Sequence, residues 1–342
     1  MLHGHGDDGY RHPHPLVADF SSNVWYGGEP AGLKDYVFGQ WNTVNRYPEV
    51  LAENLAARVA THHGLPAGQV LMSSGTTESI YLVAQAWAGR RTTVVTPAFA
   101  EYEDAARLHG HQLCFVAWEK VLSPPPLDAD LVFICNPNNP TGSVLREPEL
   151  TELLARYPAT VFVLDEAFIE FTTSIASAVP LLARFDNLLI LRSMTKAYAI
   201  PGLRLGYVVA SDKLIARLTR GKPPWTVNAL AAAAGHFLFE HFAAVQPPVV
   251  QLLADRAAFA AQLAGNAGLD IMPSHTHYFV GALRHGTAAY LKRWLLTTHG
   301  LLIRDAANFR GLSPAHFRLC TRPAADNQLL LNALRQWTDL PA

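Results

Sequence analysis

Seven short apolar runs, several of them separated by helical patterns, constrain the fold of this chain more than any other feature. They occupy residues 69–73, 91–96, 112–118, 129–135, 160–165, 187–192 and 203–210. Because most of these runs are apolar throughout, they predict strands that are buried on both faces. Such strands alternating with helices predict an α/β fold built on a large, mostly parallel sheet.

The order of the predicted elements changes near residue 240, and we therefore expect three parts. Residues 1–30 are rich in His, Gly, Pro and Asp and predict an irregular N-terminal arm with one short strand near Val17–Phe20. Residues 31–239 hold the seven runs and predict a large domain. Residues 240–342 mix short strands with helices and predict a smaller α+β C-terminal domain, against which the arm packs.

The composition excludes several classes of protein. Half of the residues are hydrophobic and 16% are charged, whereas a disordered chain needs high net charge and few apolar groups. With 27 Lys and Arg against 28 Asp and Glu, there is no basic excess to hold a nucleic acid. The sequence contains no run of about 18 apolar residues, so it predicts no membrane-spanning segment. The first residues contain no apolar segment typical of a signal peptide, so none is expected. Cys114, Cys135 and Cys320 lie in apolar runs and predict reduced thiols of a cytoplasmic protein.

Polar residues follow several of the predicted strands. The segment Ser74–Glu78 follows the first run, and Asn136–Gly142 follows the fourth. Asp165 ends the fifth run, and Lys196 follows the sixth. Ligands of open α/β sheets bind beyond the carboxyl ends of the strands, so these four segments are the candidate site.

Each of these features also has a purely structural interpretation. The segment 74–78 can be an ordinary helix cap, and 136–142 can be an ordinary turn. Neither contains the pattern of a nucleotide-binding loop. Asp165 is harder to explain in this way, because a carboxylate beside buried surface needs a partner. A lysine in an apolar neighbourhood, such as Lys196, is typical of a nucleophilic amine.

The combination and order of three motifs is more specific than any of them alone. They are NPNNPTG at 136–142, DEAF at 165–168 and SMTKAYAIPGLRLGY at 193–207. With them the chain resembles the fold-type I pyridoxal-phosphate enzymes, specifically the class I/II aminotransferase family, from about residue 17 to 338. The resemblance implies a large α/β domain with a smaller C-terminal domain, pyridoxal 5'-phosphate as cofactor, a small-molecule substrate and a homodimer.

The resemblance also implies a role for each residue of the motifs. Lys196 is expected to bind the cofactor aldehyde covalently and then to move the substrate proton. Asp165 is expected to keep the pyridine nitrogen protonated, and Asn139 to donate to the phenolic oxygen of the ring. The residues expected to hold the cofactor phosphate are Gly75, Thr76, Thr77, Ser193 and Arg204.

Four further positions carry implications of the same kind. Tyr102 matches an aromatic residue that stacks on the cofactor ring. Tyr47 matches a tyrosine that the second subunit lends to the cofactor phosphate. Arg318 matches the arginine that binds the substrate α-carboxylate. Phe168 departs from the pattern, because many members of the family have a tyrosine there whose hydroxyl binds the ring oxygen.

Two branches of the family fit the sequence, and both act on phosphorylated substrates. One decarboxylates L-threonine O-3-phosphate in cobalamin synthesis, and the other transfers the amino group of histidinol phosphate. The N-terminal start and the segments 18–23, 198–204 and 223–228 favour the decarboxylase. Arg322 fits a substrate phosphate, and Asn23 and His3 are further candidates for substrate contact. The segment 23–27 departs from the usual turn of both branches, which leaves the substrate open.

Other classes of protein fit the sequence less well. Histidine pairs two residues apart occur at four places, but no third ligand stands at a characteristic spacing, so no metal site is expected. Loss of Lys196 or Asp165 would have favoured a regulatory protein that only binds the cofactor, but both residues are present. A NAD-dependent enzyme needs a glycine-rich turn that Ser74–Glu78 does not supply.

Overall fold

The computed structural model describes residue 6 and residues 8–11, 15–123, 127–266 and 268–338 of the chain. Its strands are β1 (Ala18–Asp19), β2 (Val70–Ser73), β3 (Arg91–Thr96), β4 (Gln112–Ala117), β5 (Leu131–Cys135), β6 (Val161–Asp165), β7 (Leu188–Ser193), β8 (Gly206–Ala210), β9 (Leu269–Ile271), β10 (Tyr278–Leu283), β11 (Leu301–Leu302), β12 (Arg304–Asp305) and β13 (His316–Cys320). Its helices are α1 (Leu33–Gly39), α2 (Glu53–His63), α3 (Gly75–Ala86), α4 (Glu101–Leu108), α5 (Glu147–Arg156), α6 (Asp212–Thr219), α7 (Ala229–Glu240), α8 (Val249–Ala264), α9 (Ala288–His299) and α10 (Ala324–Thr338). Within these described ranges, no helix combines the length and the apolar character that crossing a membrane requires.

Seven strands form one central sheet in the order β2-β8-β7-β6-β5-β3-β4. Neighbouring strands are parallel, except that β8 is antiparallel to both β2 and β7. Each strand coincides with one of the seven apolar runs, so the predicted α/β fold with a mostly parallel sheet is confirmed. The carboxyl ends of the six parallel strands lie along the same edge of the sheet.

Alternate residues of the central strands enter two different cores. Phe133 and Val163 pack on one face together with residues of α2 and α3. Ile134 and Leu164 pack on the other face together with residues of α5. Both faces of the sheet are therefore buried, which explains why the strand sequences are apolar at every position rather than at every second one.

A second, antiparallel sheet lies in the C-terminal part of the chain, in the order β12-β13-β10-β9. It shares a third core with residues of α8, α9 and α10. The short strand β1 of the arm pairs in parallel with β11, and Phe20 is buried in this third core. The arm therefore contacts the C-terminal part, while the domain boundaries at residues 30 and 239 stay a prediction.

Candidate active site

A cleft of about 200 Å³ lies beyond the carboxyl ends of the parallel strands. Its walls come from several strand ends, from the arm segment 21–24 and from β13. Of the residues predicted from the sequence, those that line it are Asn23, Thr76, Thr77, Tyr102, Asn139, Asp165, Lys196, Arg204 and Arg318. The fold thus brings together side chains that are far apart in the chain, because most of them lie at or just after the carboxyl ends of parallel strands of one sheet.

One end of the cleft is built to hold an anion. Helix α3 begins at Gly75, whose φ is +79°. A Cβ on Gly75 would lie 2.5 Å from Nη2 of Arg204, so only glycine permits the guanidinium to approach the helix end this closely. Thr76 and Thr77 of the same helix turn line the cleft beside Arg204. Backbone N–H groups and a guanidinium in one place suit a phosphate.

The opposite wall contains a buried carboxylate. Asp165 is 4% exposed and accepts two hydrogen bonds, from the Tyr102 hydroxyl at 2.7 Å and from the Ala167 N–H at 2.9 Å. Burial raises the pKa of Asp165, and the two hydrogen bonds oppose that rise. The Tyr102 ring stacks on Phe133, with ring centroids 5.1 Å apart. A cationic ring nitrogen next to Asp165 would further favour its charged form.

An amine completes this set. Lys196 lies half-buried in the turn that follows β7, and its carbonyl oxygen accepts a hydrogen bond from the Trp25 N–H at 2.9 Å. It lines the same cleft as Asp165 and the α3 terminus. A nucleophilic amine, a buried carboxylate and an anion cradle suit a molecule that carries an aldehyde, a basic ring nitrogen and a phosphate.

The cleft lining also contains a buried guanidinium. Arg318 on β13 is 4% exposed and donates to the Asn139 side chain and, at 2.6 Å, to the Ser21 carbonyl oxygen. Its Nε is buried without a hydrogen-bond partner among the described residues. Burial lowers the pKa of Arg318, and the negative charge of Asp19 opposes this shift. A buried cation that donates to neutral carbonyl oxygens is suited to an anionic ligand.

The family can now be assigned. Residues 20–336 match the model of the family described as Aminotransferase class I and II. The chain belongs to this family. The resemblance inferred from the motifs is therefore confirmed, and with it an enzyme that depends on pyridoxal phosphate.

Two relatives and one solved structure indicate which members of the family this chain is similar to. The threonine-phosphate decarboxylase of Salmonella typhimurium is 36% identical over 331 residues, which are 93% of this chain and 90% of that protein. The histidinol-phosphate aminotransferase of Chlorobaculum parvum is 30% identical over 294 residues, or 82% and 81% of the two chains. The crystal structure of L-threonine-O-3-phosphate decarboxylase from Porphyromonas gingivalis superposes with a TM-score of 0.92 at 36% identity, covering 95% of this chain and 100% of that one.

Sequence reasoning missed a second buried arginine, which neighbours Arg318 of the cleft without lining the cleft itself. Arg304 on β12 pairs directly with Arg318 on β13, so both side chains leave the same face of the sheet. Arg304 is 5% exposed and donates to Asn308 at 2.8 Å. Burial and the charge of Arg318 lower the pKa of Arg304 to about 10. A two-residue strand leaves no periodic pattern in the sequence, so only the pairing with β13 reveals this neighbour.

The structure places the remaining predicted residues away from the cleft lining. Ser193 is buried behind it and lies 2.6 Å from Thr195 through the two hydroxyl oxygens. Arg322 lies over the Tyr26 ring, 5.6 Å from its centroid, instead of lining the cleft. Tyr47 is 83% exposed.

Two further positions complete the comparison with the sequence predictions. His3 lies outside the described residues. Phe168 lines the cleft and packs its ring against the edge of Tyr278, with centroids 4.9 Å apart. Its phenyl ring has no hydroxyl group to offer to a ligand.

Proposed function

We propose that this chain is a pyridoxal-phosphate-dependent decarboxylase of L-threonine O-3-phosphate. The observation that carries the proposal is the buried guanidinium of Arg318, which lines the cleft together with Lys196 and Asp165. L-Threonine O-3-phosphate carries an α-carboxylate, which a buried guanidinium can bind through two parallel hydrogen bonds. The sequence and structural relatives named above support the same substrate.

A histidinol-phosphate-type aminotransferase is the second candidate, supported by relatives such as that of Chlorobaculum parvum. Histidinol phosphate carries a phosphate but no carboxylate. It has no carboxylate to pair with the buried guanidinium of Arg318, and burying an unpaired charge is unfavourable. Arg318 therefore favours the substrate that carries a carboxylate.

The residues of the cleft fit the cofactor as follows. The α3 terminus and Arg204 would hold its phosphate, and Lys196 would supply the amine that binds its aldehyde. Asp165 would keep a proton on the ring nitrogen, while Asn139 would donate to the phenolic oxygen. When bound, the cofactor supplies a ring that accepts the electron pair released as a bond to the substrate α-carbon breaks.

The reaction outcome depends on which substituent of the α-carbon stands perpendicular to that ring. Arg318 would bind the carboxylate, and the arm segment 21–24 lines the same cleft, so together they would hold the carboxylate in the orientation from which it is lost. The carboxylate then leaves as carbon dioxide. Lys196 delivers a proton to the α-carbon that the carboxylate has left. The products are carbon dioxide and the phosphate ester of 1-amino-2-propanol.

The decisive experiment mixes the cofactor-loaded protein with L-threonine O-3-phosphate in the absence of a keto acid. We expect repeated release of carbon dioxide while the absorbance of the bound cofactor is retained. A single conversion of the cofactor to its amine form, without gas, would establish amino-group transfer instead, and histidinol phosphate would then be tested. No spectral response to either compound would refute the phosphorylated substrate and leave the cofactor assignment intact.

We further propose that the protein is a homodimer and that Tyr47 reaches the active site of the second copy. Several large apolar side chains are exposed along one stretch of the chain, and they are Tyr36, Phe38, Trp41, Val44, Tyr47 and Val50. The Tyr47 ring packs on the exposed Trp225, with centroids 5.1 Å apart. An exposed apolar patch of this extent marks an interface, and the family resemblance implies a second copy of the chain as the partner.

A charge placed in this patch should separate the subunits. We expect Trp41→Asp to convert the protein from dimer to monomer in analytical ultracentrifugation, since an unpaired carboxylate would be buried at the contact. The monomer should also bind pyridoxal phosphate more weakly, because it lacks the partner's Tyr47. Val250→Asp provides the control, since Val250 is 74% exposed on α8, outside this patch. A Trp41→Asp protein that remains dimeric would place the interface elsewhere.

We also propose that the enzyme works in the cytoplasm. All three cysteines lie within the described residues, and all are free thiols. Cys135 and Cys320 are buried, and burial raises the pKa of both thiols, which keeps them protonated. Unpaired thiols are typical of proteins that remain in a reducing compartment.

A further inference from the structure

The arm segment from Phe20 to Trp25 includes four residues of the cleft lining, 21–24, and hydrogen bonds connect it to distant parts of the chain. The Phe20 carbonyl oxygen accepts from the Cys320 N–H at 2.9 Å. The Ser21 carbonyl oxygen accepts from Arg318. The Trp25 N–H donates to the Lys196 carbonyl oxygen at 2.9 Å. The segment therefore connects the carboxylate-binding arginine to the turn that carries the reactive lysine.

His277 makes the contact at the centre of this segment. Its Nε2 lies 3.1 Å from the carbonyl oxygen of Asn23, and the Asn23 side chain accepts from the Cys320 thiol at 3.1 Å. The His277 ring is 1% exposed and packs on Phe171, with centroids 3.8 Å apart. A carbonyl oxygen can only accept, so Nε2 carries the proton.

The imidazole of His277 is neutral, and its Nδ1 carries no proton. Burial, together with the positive charges of Arg318 and Lys196, lowers the pKa of His277 to about 3. With the proton on Nε2, Nδ1 is an acceptor, and it is buried without a hydrogen-bond partner among the described residues. A buried acceptor without a partner is destabilising, so packing alone favours an apolar ring at this position. The hydrogen bond to Asn23 is what the histidine supplies that such a ring would not.

We propose that His277 is a positioning residue that fixes the arm segment 21–24 against Arg318 and Lys196 and thereby orients the substrate carboxylate. This inference rests on the proposed decarboxylase function. His277 holds the Asn23 carbonyl, and Arg318 holds the Ser21 carbonyl two residues earlier. Release of the first contact gives the segment freedom to move at the second, and the carboxylate loses its fixed angle to the cofactor ring.

Three variants separate the hydrogen bond from the packing. His277→Phe keeps a planar ring against Phe171 and removes the donor. His277→Gln places an amide N–H near the position of Nε2 and restores it. His275→Phe is the matched control, because His275 lies two residues away and is exposed. All three are made in the full chain loaded with pyridoxal phosphate.

The first readout is hydrogen–deuterium exchange, which does not depend on the reaction. We expect the Trp25 amide and its neighbours to exchange about five- to tenfold faster in His277→Phe, as expected when one hydrogen bond that restrains a local opening is lost. The exchange rates of His277→Gln and His275→Phe should match those of the unmodified protein. Unchanged exchange in His277→Phe, or equally fast exchange in His277→Gln, would overturn the proposal.

The second readout is the fate of L-threonine O-3-phosphate. For His277→Phe we expect KM to rise about tenfold and the ratio of carbon dioxide release to amine-form cofactor to fall, with His277→Gln restoring both. Faster exchange without a change in KM or in this ratio would reduce His277 to a structural residue and overturn the proposal. If the unmodified protein releases no carbon dioxide, the proposed function fails, and the exchange experiment still decides whether His277 fixes the segment.

Discussion

Replacement of Lys196 by alanine is expected to abolish the covalently bound yellow chromophore while the protein stays folded. Lys196 is the amine that shares the cleft with Asp165 and the anion cradle. Its loss removes both the covalent anchor of the cofactor and the group that moves the substrate proton. Acid–base catalysis alone contributes about 10²- to 10⁴-fold, so turnover should fall by at least that factor. Absorbance spectra before and after borohydride treatment measure the first effect.

A lysine outside the cleft provides the comparison. Lys213 is exposed on α6, and Lys213→Ala should keep the chromophore and full activity. Circular dichroism of the Lys196→Ala protein should match that of the unmodified protein, because the half-buried side chain fills little of the core. Retention of the yellow, borohydride-reducible chromophore in Lys196→Ala would show that another amine binds the cofactor.

Replacement of Arg318 by alanine should weaken the binding of carboxylate-bearing substrates by about 2–5 kcal/mol, which is at least about 30-fold in dissociation constant. The guanidinium is buried and is held by the neutral oxygens of Asn139 and Ser21. A substrate carboxylate desolvated against this site loses the guanidinium that would pair with it when Arg318 is removed. Titration of the cofactor spectrum with L-threonine O-3-phosphate measures the change.

Two control measurements accompany this titration. Arg284→Ala removes an arginine whose side chain is 52% exposed and pairs with Asp270, so it should leave affinity unchanged. The decarboxylated product carries the phosphate without the carboxylate, and its affinity should fall much less in Arg318→Ala than that of the substrate. Equal losses for both compounds, or no loss for the substrate, would move the carboxylate site away from Arg318.

The sequence predicted the sheet and the site residues at the strand ends for the same physical reason. A strand buried on both faces has to be apolar along its whole length, and the polar residue that follows it stands out. Asp165 and Asn139 are visible in this way, and each lies in the cleft at the end of its strand. The anion cradle is visible as well, because Gly75 opens a helix directly after β2.

Contacts between residues that are far apart in the chain could not be predicted from the sequence pattern in this way. Arg304 was missed because β12 is two residues long, and its neighbour Arg318 is set by antiparallel register. Arg322 was expected at the substrate, yet its side chain turns to the Tyr26 ring. His277 and His275 form one of the four histidine pairs in the sequence, and the pattern gives no sign that His277 is buried next to the start of β10.

By itself, the sequence determined the central sheet, the family and the residues that meet at the strand ends, because strand periodicity and helix termini are local properties of the chain. Only the tertiary structure decided what surrounds Arg318. Its neighbours Arg304, His277 and the arm segment 21–24 come from separate parts of the chain. Their contacts arise from the pairing of short strands and the packing of the arm on the C-terminal core, which depend on burial and register across the whole molecule.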